Sequence, residues 1–389
     1  MGPIYALSIH ADYRCQHSGV CCSSDWDVPV ELPVYRQLDA ALSSGSLRPV
    51  ADAAGGGSIL IVEDNLPDAA AAMLARTIGS DCVFYHGGSR LCVVHRDLGE
   101  ERLPSTCRHF PRLVVRDKRG TFISLTHYCP TAAATLFRDD VPIEIVEAPP
   151  AFPPADYEGL LVEPDAWPPL LHPRMLMDDA AYDSWERHMV SRCADDALSP
   201  EDVVVTLQRD ACVLRGYTPG SGSLVDAVAA LPTDSVAESR HEALGPSLAL
   251  FSEVIRAVPD DMKPEPDEER LADVYLVAVA PSWTRWNGPL KRYLAAKAFA
   301  SWTAYQGLGL LTVVRGLEVA LALVRVEAAR QCRDQDRRLD AGLLKEAIRE
   351  ADFVLNHLAV GDDLARIWSR VEGRSRVRAR RFASHRALR

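Results

Sequence analysis

Short alternating segments near the start of the chain give way to helical spacing in its second half. Five segments of alternating or short apolar character are predicted as strands: residues 4–10, 59–63, 91–95, 112–115 and 121–126. After residue 174 apolar residues recur every three or four positions, which predicts helices over 175–193, 200–215, 224–231, 237–258, 268–279, 290–331 (two helices broken near 307–309), 341–358 and 362–371. The pattern predicts an α+β fold, in which a small cysteine-rich region with short strands and hairpins packs with a larger all-α part.

Two short helices and a hairpin are also predicted in the first region. The helices cover residues 33–42 and the alanine-rich residues 66–78. Residues 117–120, Asp-Lys-Arg-Gly, favour a hairpin turn between the last two strands. Cys107 and Cys129 flank this turn at similar distances, so the hairpin is expected to bring their thiols to the same end.

Composition divides the chain into three parts. Residues 1–147 hold the predicted strands and most of the cysteines, and are predicted as a metal-binding domain. Residues 148–173 contain eight prolines, which exclude a helix and favour an extended linker or a segment lying on a surface. Residues 174–389 form the helical domain. Its end carries eight arginines against one glutamate from residue 370 onward, a basic tail typical of a solvated terminus or of contact with an acidic partner.

Charge and hydropathy restrict the partners and the location. The 389 residues have a net charge of −11 at pH 7 and a pI near 5.5, which argues against a general nucleic-acid-binding protein. No signal-peptide pattern opens the sequence, and no apolar stretch reaches the length of a membrane span. We therefore expect a cytoplasmic protein with neither a membrane span nor a nucleic-acid partner.

The strongest chemical signal is a set of seven cysteines before residue 130: Cys15, Cys21, Cys22, Cys82, Cys92, Cys107 and Cys129. In a reducing compartment such a set favours metal binding over disulfide bonds, and thiolates suit zinc and iron–sulfur clusters. The closely spaced cysteine pairs of structural zinc sites are absent, and the side chains of the adjacent Cys21 and Cys22 are expected to diverge. We therefore predict an iron–sulfur cluster, [4Fe–4S], before zinc, and a metal-free protein third. The other three cysteines are predicted as ordinary buried thiols: Cys193, Cys212 and Cys332.

Four side chains beside these cysteines are candidates for chemistry: His95, His109, Arg108 and Arg112. Either histidine could complete a coordination sphere or move a proton. Either arginine could lower the pKa of a nearby thiol or hold a cofactor carboxylate. The alternatives are ordinary surface or core histidines and surface ion pairs of the arginines. A glycine-rich nucleotide loop after a strand is absent, so a Rossmann-type cofactor site is not expected.

Three stretches of this sequence resemble a known family. They are residues 13–26, YRCQHSGVCCSSDW, residues 91–112, LCVVHRDLGEERLPSTCRHFPR, and residues 124–130, SLTHYCP. The first is similar to the opening motif of a cysteine-cluster family described as zinc- or iron-chelating, and the other two are similar to the core of its flagellin lysine-N-methylase branch. The matching positions are Cys92, Leu98, Gly99, Glu100, Cys107, Arg108, Phe110, Pro111, Arg112, Cys129 and Pro130.

The resemblance implies a cytoplasmic metalloprotein, with an iron–sulfur cluster or another metal held by the cysteines. It further implies methyl transfer from S-adenosylmethionine to a lysine of a protein or peptide substrate, such as flagellin. In that enzyme Arg108 and Arg112 would position the cofactor, and His95 or His109 would take the proton. The competing hypothesis is a protein without turnover: a metal carrier, a sensor, or a structural metal site.

Overall fold

The computed structural model describes residues 2–24, 26–64, 66–67, 69–155, 157, 160–161, 168–234, 236, 243–263, 270–305, 309–359, 363–364 and 366–368. Its strands are β1 (Ile4–Leu7), β2 (Pro29–Glu31), β3 (Leu60–Ile61), β4 (Ala70–Leu74), β5 (Tyr85–His86), β6 (Leu91–Cys92), β7 (Arg112–Asp117), β8 (Gly120–Leu125), β9 (Ile145–Glu147), β10 (Leu160–Leu161), β11 (Leu170–His172) and β12 (Met175–Leu176). The predicted α+β class is confirmed.

The α-helices are α1 (Val20–Ser23), α2 (Leu32–Ser44), α3 (Val93–Leu98), α4 (Ser105–His109), α5 (Pro130–Thr135), α6 (Asp179–Ala194), α7 (Pro200–Leu214), α8 (Leu224–Ala229), α9 (Gly245–Ile255), α10 (Leu271–Val274), α11 (Asn287–Ala298), α12 (Leu310–Asp334) and α13 (Ala341–Phe353). Two π-helical turns follow α10 and α13, at Tyr275–Val279 and Val354–Leu358. Across the described part of the chain no helix combines the length and the apolar character that a membrane crossing requires.

The chain divides into two compact units whose boundaries differ from the predicted domains 1–147, 148–173 and 174–389. We call one the cysteine unit, Arg14–Leu113 with Cys129–Thr131, and the other the helical unit, Met1–Tyr13 with Val114–Tyr128 and Ala132–Arg389. The boundaries differ because β1, at the start of the chain, pairs with β8 and β9 in a sheet of the helical unit. Most of the cysteine unit is therefore an insertion into the helical unit.

A three-stranded sheet in the order β2-β4-β3 supports the cysteine unit. The predicted helix over 66–78 is wrong, because Ala70–Leu74 is the central strand of this sheet. Ala72 pairs with Val30 on one side, and Leu74 pairs with Leu60 on the other. Pairing on both edges outweighs the intrinsic helix preference of alanine, which is a weak determinant.

The sheet of the helical unit has the order β10-β7-β8-β1-β9. The predicted hairpin is confirmed: β7 and β8 are neighbours joined by the two-residue turn Lys118–Arg119. Gly120 follows with φ +146°, where a side chain would overlap the carbonyl oxygen of Pro3, so only glycine suits the position. β1 runs parallel to β8, with Ile4 opposite Thr121.

The long helix α12 forms the centre of the helical core and packs against α7, α9, α11 and α13. Its buried side chains include Val314, Leu317 and Leu323. The predicted break in residues 290–331 is confirmed, since α11 ends at Ala298 and α12 begins after Gly309; residues 306–308 of the break lie outside the described residues.

Several sequence expectations fall partly or wholly outside the described residues. The basic tail from residue 370 lies wholly outside them, and so do residues 156, 158–159 and 162–167 of the predicted linker and residues 237–242, 268–269, 362, 365 and 369–371 of three predicted helices. In the described part of the proline-rich segment, Phe152 is buried and Leu170–His172 forms a short hairpin with Met175–Leu176. These flanks are therefore packed structure.

Candidate metal centre

The hairpin of β5 and β6 places Cys92. Tyr85 pairs with Cys92 across the two strands, and the N–H of Val93 donates to the carbonyl of Phe84 at 2.9 Å. The predicted strand over 91–95 ends at Cys92, where α3 begins. The thiol therefore stands at the junction of a strand and a helix.

The short helix α1 carries the adjacent Cys21 and Cys22. Gly19, with φ +81°, starts this turn, and a side chain there would overlap the ring of Tyr85. The N–H of Cys82 donates to the carbonyl of Cys22 at 2.7 Å, which ties a third cysteine to the same turn. The expected divergence of the adjacent side chains is wrong: the two Sγ atoms lie 3.9 Å apart.

Three thiols lie close together, with Cys22 between the other two. The Cys22 Sγ is 3.9 Å from that of Cys21, and the interactions of Cys22 with Cys21 and Cys92, together with burial, raise the pKa of Cys22 far above its usual range. The neighbouring Cys22 thiol lowers the pKa of Cys21. It also lowers the pKa of Cys92 to about 7 against the effect of burial, helped by the backbone N–H groups of His95 and Val94. Cys21 and Cys92 are therefore the thiols of this group that most easily become thiolates.

Two more cysteines lie within electrostatic range of this contact. Burial raises the pKa of Cys82 to about 11, and the charges of Cys92 and Cys21 raise it further. Burial likewise raises the pKa of Cys107 well above its usual value, with added effects from Cys82, Cys92 and Cys21. We call these five residues the thiol cluster: Cys21, Cys22, Cys82, Cys92 and Cys107.

Arg76 is the cation that affects the pKa of Cys82 and Cys107, and no sequence pattern identified it as part of the site. Its charge opposes the rise in the pKa of Cys82 and of Cys107. Its guanidinium donates to the carbonyl of Cys22 at 3.3 Å and to the carbonyl of Trp26. Arg76 lies within the segment that was predicted to be helical, so its position could be known only after the strand β4 was recognised.

The remaining predicted ligands have different surroundings. Cys15 is exposed, and its Sγ accepts the N–H of His17 at 3.4 Å. Cys129 is buried in the cysteine unit. Both stay predicted ligands. Among the other thiols, Cys193 and Cys332 are buried as predicted, whereas Cys212 is exposed, so its predicted burial is wrong.

The four candidates for chemistry all lie on α3, α4 or the segment that follows α4. His95 is in the first turns of α3, and His109 closes α4. Arg112 donates to the carbonyl of Arg108 at 3.3 Å and lies 3.9 Å from the carboxylate of Glu100. A partly exposed pair of this length contributes little to stability.

Two other histidines near the cysteines in sequence belong to the core of the helical unit. His10 and His127 are buried with their Nε2 atoms 3.2 Å apart. Nδ1 of His127 lies 3.4 Å from Asp352, whose carboxylate also accepts the hydroxyl of Tyr293 at 2.8 Å and pairs with Lys297. Burial is the main cause that lowers the pKa of both histidines, so they are neutral core residues.

The thiol cluster has ligands of the right type for a metal, but they are not arranged to surround an ion. Within the described residues no three Cys, His, Asp or Glu side chains stand ready to hold an ion. A tetrahedral ion with metal–sulfur bonds of about 2.3 Å places its sulfurs about 3.8 Å apart. The separation of 3.9 Å between Cys21 and Cys22 is close to that edge. Because no three of the described thiols already surround one point, both Cys92 and a fourth thiol must move closer before an ion fits.

Comparisons with known proteins add no relative to this picture. No protein family, curated protein or solved structure matches this chain. The resemblance to the flagellin lysine-N-methylases thus rests on the sequence motifs alone.

Proposed function

We propose that this chain is a metalloprotein whose cysteine unit binds a metal through Cys21, Cys22 and Cys92, with Cys82 or Cys107 as the fourth ligand. The observation that carries the proposal is the proximity of three thiols supplied by two separate segments. A lowered pKa at Cys21 and Cys92 favours thiolates, the form that binds metals. Thiolate ligands select zinc or iron over magnesium or calcium.

The sulfur separations favour a single tetrahedral ion, such as zinc, as the occupant. A 3.9 Å edge between Cys21 and Cys22 suits one ion, whereas a [4Fe–4S] cluster spreads its ligand sulfurs around a larger body. The cluster is our second candidate. It is favoured by the resemblance and by a thiol count that exceeds the four needed for one ion.

Metal analysis of the purified full chain tests this proposal. We expect about one zinc per chain after aerobic purification, or a brown protein with broad visible absorption after anaerobic purification if the cluster is the occupant. Cys22→Ser and Cys92→Ser should each lose most of the metal. Cys212→Ser, which changes an exposed thiol of α7, is the matched control and should keep it. Equal metal content in all three variants would contradict the proposal.

Methyl transfer from S-adenosylmethionine to a protein lysine is the activity that we propose for this metalloprotein, on the strength of the motif in residues 91–112. That motif supplies Cys92 and Cys107 to the thiol cluster and sets Arg108 and Arg112 close together. Arg112 can hold a carboxylate through its guanidinium. His95 and His109 are the candidates that take the proton from the lysine amine.

Mass spectrometry of a flagellin substrate, incubated with the metal-loaded protein and S-adenosylmethionine, tests this activity. We expect mass gains of one methyl group on lysine, reduced at least tenfold by Arg112→Gln. His357→Gln, a change in the helical unit, serves as a control. A metal-loaded protein that transfers no methyl group would leave the metal proposal intact and refute the activity.

A further inference from the structure

A cavity of about 730 Å³ opens in the helical unit beside α6, α8 and residues 231–233. Its volume falls in the range of about 300–1,000 Å³ that is typical of sites for small molecules. Part of its wall is apolar and comes from Val225, Val228, Leu231 and Pro232. Side chains of α6 supply a polar part. A mostly apolar wall with a few fixed polar groups is the usual composition of a ligand site.

His188 is the polar side chain of this wall that is most firmly oriented. Its Nε2 lies 2.8 Å from Oδ2 of Asp210, and its ring stacks on Trp185 with centroids 5.5 Å apart. Among the described residues no hydrogen bond engages its Nδ1, and the side chain keeps 18% of its surface exposed. One ring nitrogen is therefore fixed by a carboxylate, and the other is open to a ligand.

Asp210 is a buried carboxylate that faces several donors. Arg209 lies 2.8 Å from it and Arg192 3.5 Å, in addition to His188. Burial acts to raise the pKa of Asp210, but the hydrogen bonds from His188 and Arg209 outweigh it and hold the pKa below its ordinary value. The carboxylate accepts the Nε2–H of His188 and so fixes the orientation of the imidazole ring.

Two arginines of α6 complete the polar wall. Arg192 is buried and donates to the carbonyls of Thr233, at 3.2 Å, and Pro232, which fixes the segment beside the cavity. Arg187 is half exposed and uses its Nε on Asp183 at 2.8 Å, so its terminal nitrogens can reach a ligand. Asp195 also lines the cavity, but its Oδ1 accepts the N–H of Ala197 at 2.9 Å.

We propose that this cavity binds a small molecule that carries a carboxylate or phosphate group on an apolar ring. The anion would lie against the terminal nitrogens of Arg187, since guanidinium donors make short, strong bonds to such oxygens, and His188 in its protonated form would add its Nδ1–H. The ring would lie against Val225 and Val228. This site goes beyond the metal proposal and belongs to the helical unit, so each can fail without the other.

Calorimetric titration of the full chain with benzoate, phenyl phosphate and benzamide tests the site. Benzoate and phenyl phosphate share the ring and differ in the anion, and benzamide keeps the shape of benzoate without its charge. We expect one of the two anions to bind at least tenfold more tightly than benzamide. No binding of either anion, or equal binding of benzamide, would overturn the proposal.

Variants locate the binding on the molecule. Arg187→Gln and His188→Gln should each weaken the binding of the tighter-binding anion about tenfold or more, because each removes a donor to that anion. Val228→Trp should abolish binding, because the larger side chain would occupy the space beside the apolar wall. Arg256→Gln, at an exposed arginine that ends α9, should change nothing. Circular dichroism confirms folding of each variant, and unchanged affinity in the two glutamine variants of α6 would sink the assignment.

Discussion

Replacing Arg119 tests how the hairpin of β7 and β8 is held in the helical unit. Its guanidinium lies 2.8 Å from Asp117 and 3.0 Å from Glu186 of α6, and only 9% of its side chain is exposed. It also stacks over the rings of Phe122, at 4.2 Å, and Tyr182, at 4.8 Å. Arg119 therefore places a positive charge between the buried carboxylates of Asp117 and Glu186.

Arg119→Met keeps most of the apolar stem and removes the charge. Asp117 and Glu186, with side chains 4% and 1% exposed, then lose their cation inside the protein. Breaking a buried pair in this way lowers the free energy of unfolding by about 3–5 kcal/mol. Burial already raises the pKa of Glu186 against the effect of Arg119, so the loss should be smaller in acid, where Glu186 can take up a proton.

Urea unfolding at neutral pH, followed by the fluorescence of buried tryptophans such as Trp185, measures this loss. Arg187→Met is the control. It breaks the exposed ion pair between Arg187 and Asp183, one helical turn apart on α6, and should lower the free energy of unfolding by about 0.5 kcal/mol. Adding Glu186→Gln to Arg119→Met should restore part of the stability, since it removes an uncompensated charge. The reasoning fails if Arg119→Met and Arg187→Met have equal effects, or if the double variant is less stable than Arg119→Met.

Three further predictions follow from residues of both units. In metal-free protein, the alkylation rate of Cys92 should reach half its maximum near pH 7, read by mass spectrometry; a midpoint near pH 9 would contradict its lowered pKa. Gly19→Ala should destabilise the cysteine unit by about 2–4 kcal/mol in thermal melts, because Gly19 has φ +81° and an alanine Cβ there would overlap the ring of Tyr85. An unchanged melting temperature would refute this prediction. Burial raises the pKa of Glu327 to about 7, so its contribution to stability is present below about pH 4.5 and is lost as the pH rises through about 7. The free energy of unfolding of Glu327→Gln should therefore rise by up to about 3 kcal/mol relative to that of the wild type as the pH increases over that interval, measured by urea unfolding at each pH. If the difference between the two proteins stays constant with pH, the pKa of Glu327 is not raised.

Local patterns predicted those elements whose structure depends on nearby residues. The break between α11 and α12 was predictable because glycines interrupt a long apolar run, and the turn at Lys118–Arg119 was predictable from its residue types. Ala70–Leu74 was not predictable, since its strand exists only because two distant segments pair with it. The same holds for Asp352, whose partners His127 and Tyr293 are distant from it in the sequence.

The candidate site was predictable as a set of residue types but not as an arrangement. The count of cysteines identified the candidate ligands, and the hairpin of β5 and β6 brings Cys92 into electrostatic range of Cys82. The proximity of Cys22 and Cys92 depends on the turn that starts at Gly19, which no local pattern shows. Arg76 was missed for the same reason.

The insertion of the cysteine unit has a consequence for the order in which the protein folds during synthesis. Ile4 of β1 must wait for Thr121 before it can pair, which at about 5–20 residues per second is a delay of several seconds on the ribosome. The residues of the thiol cluster, the last of which is Cys107, have all been synthesised by then. On the proposed function, metal supply during translation, rather than after release, would therefore limit the yield of loaded protein.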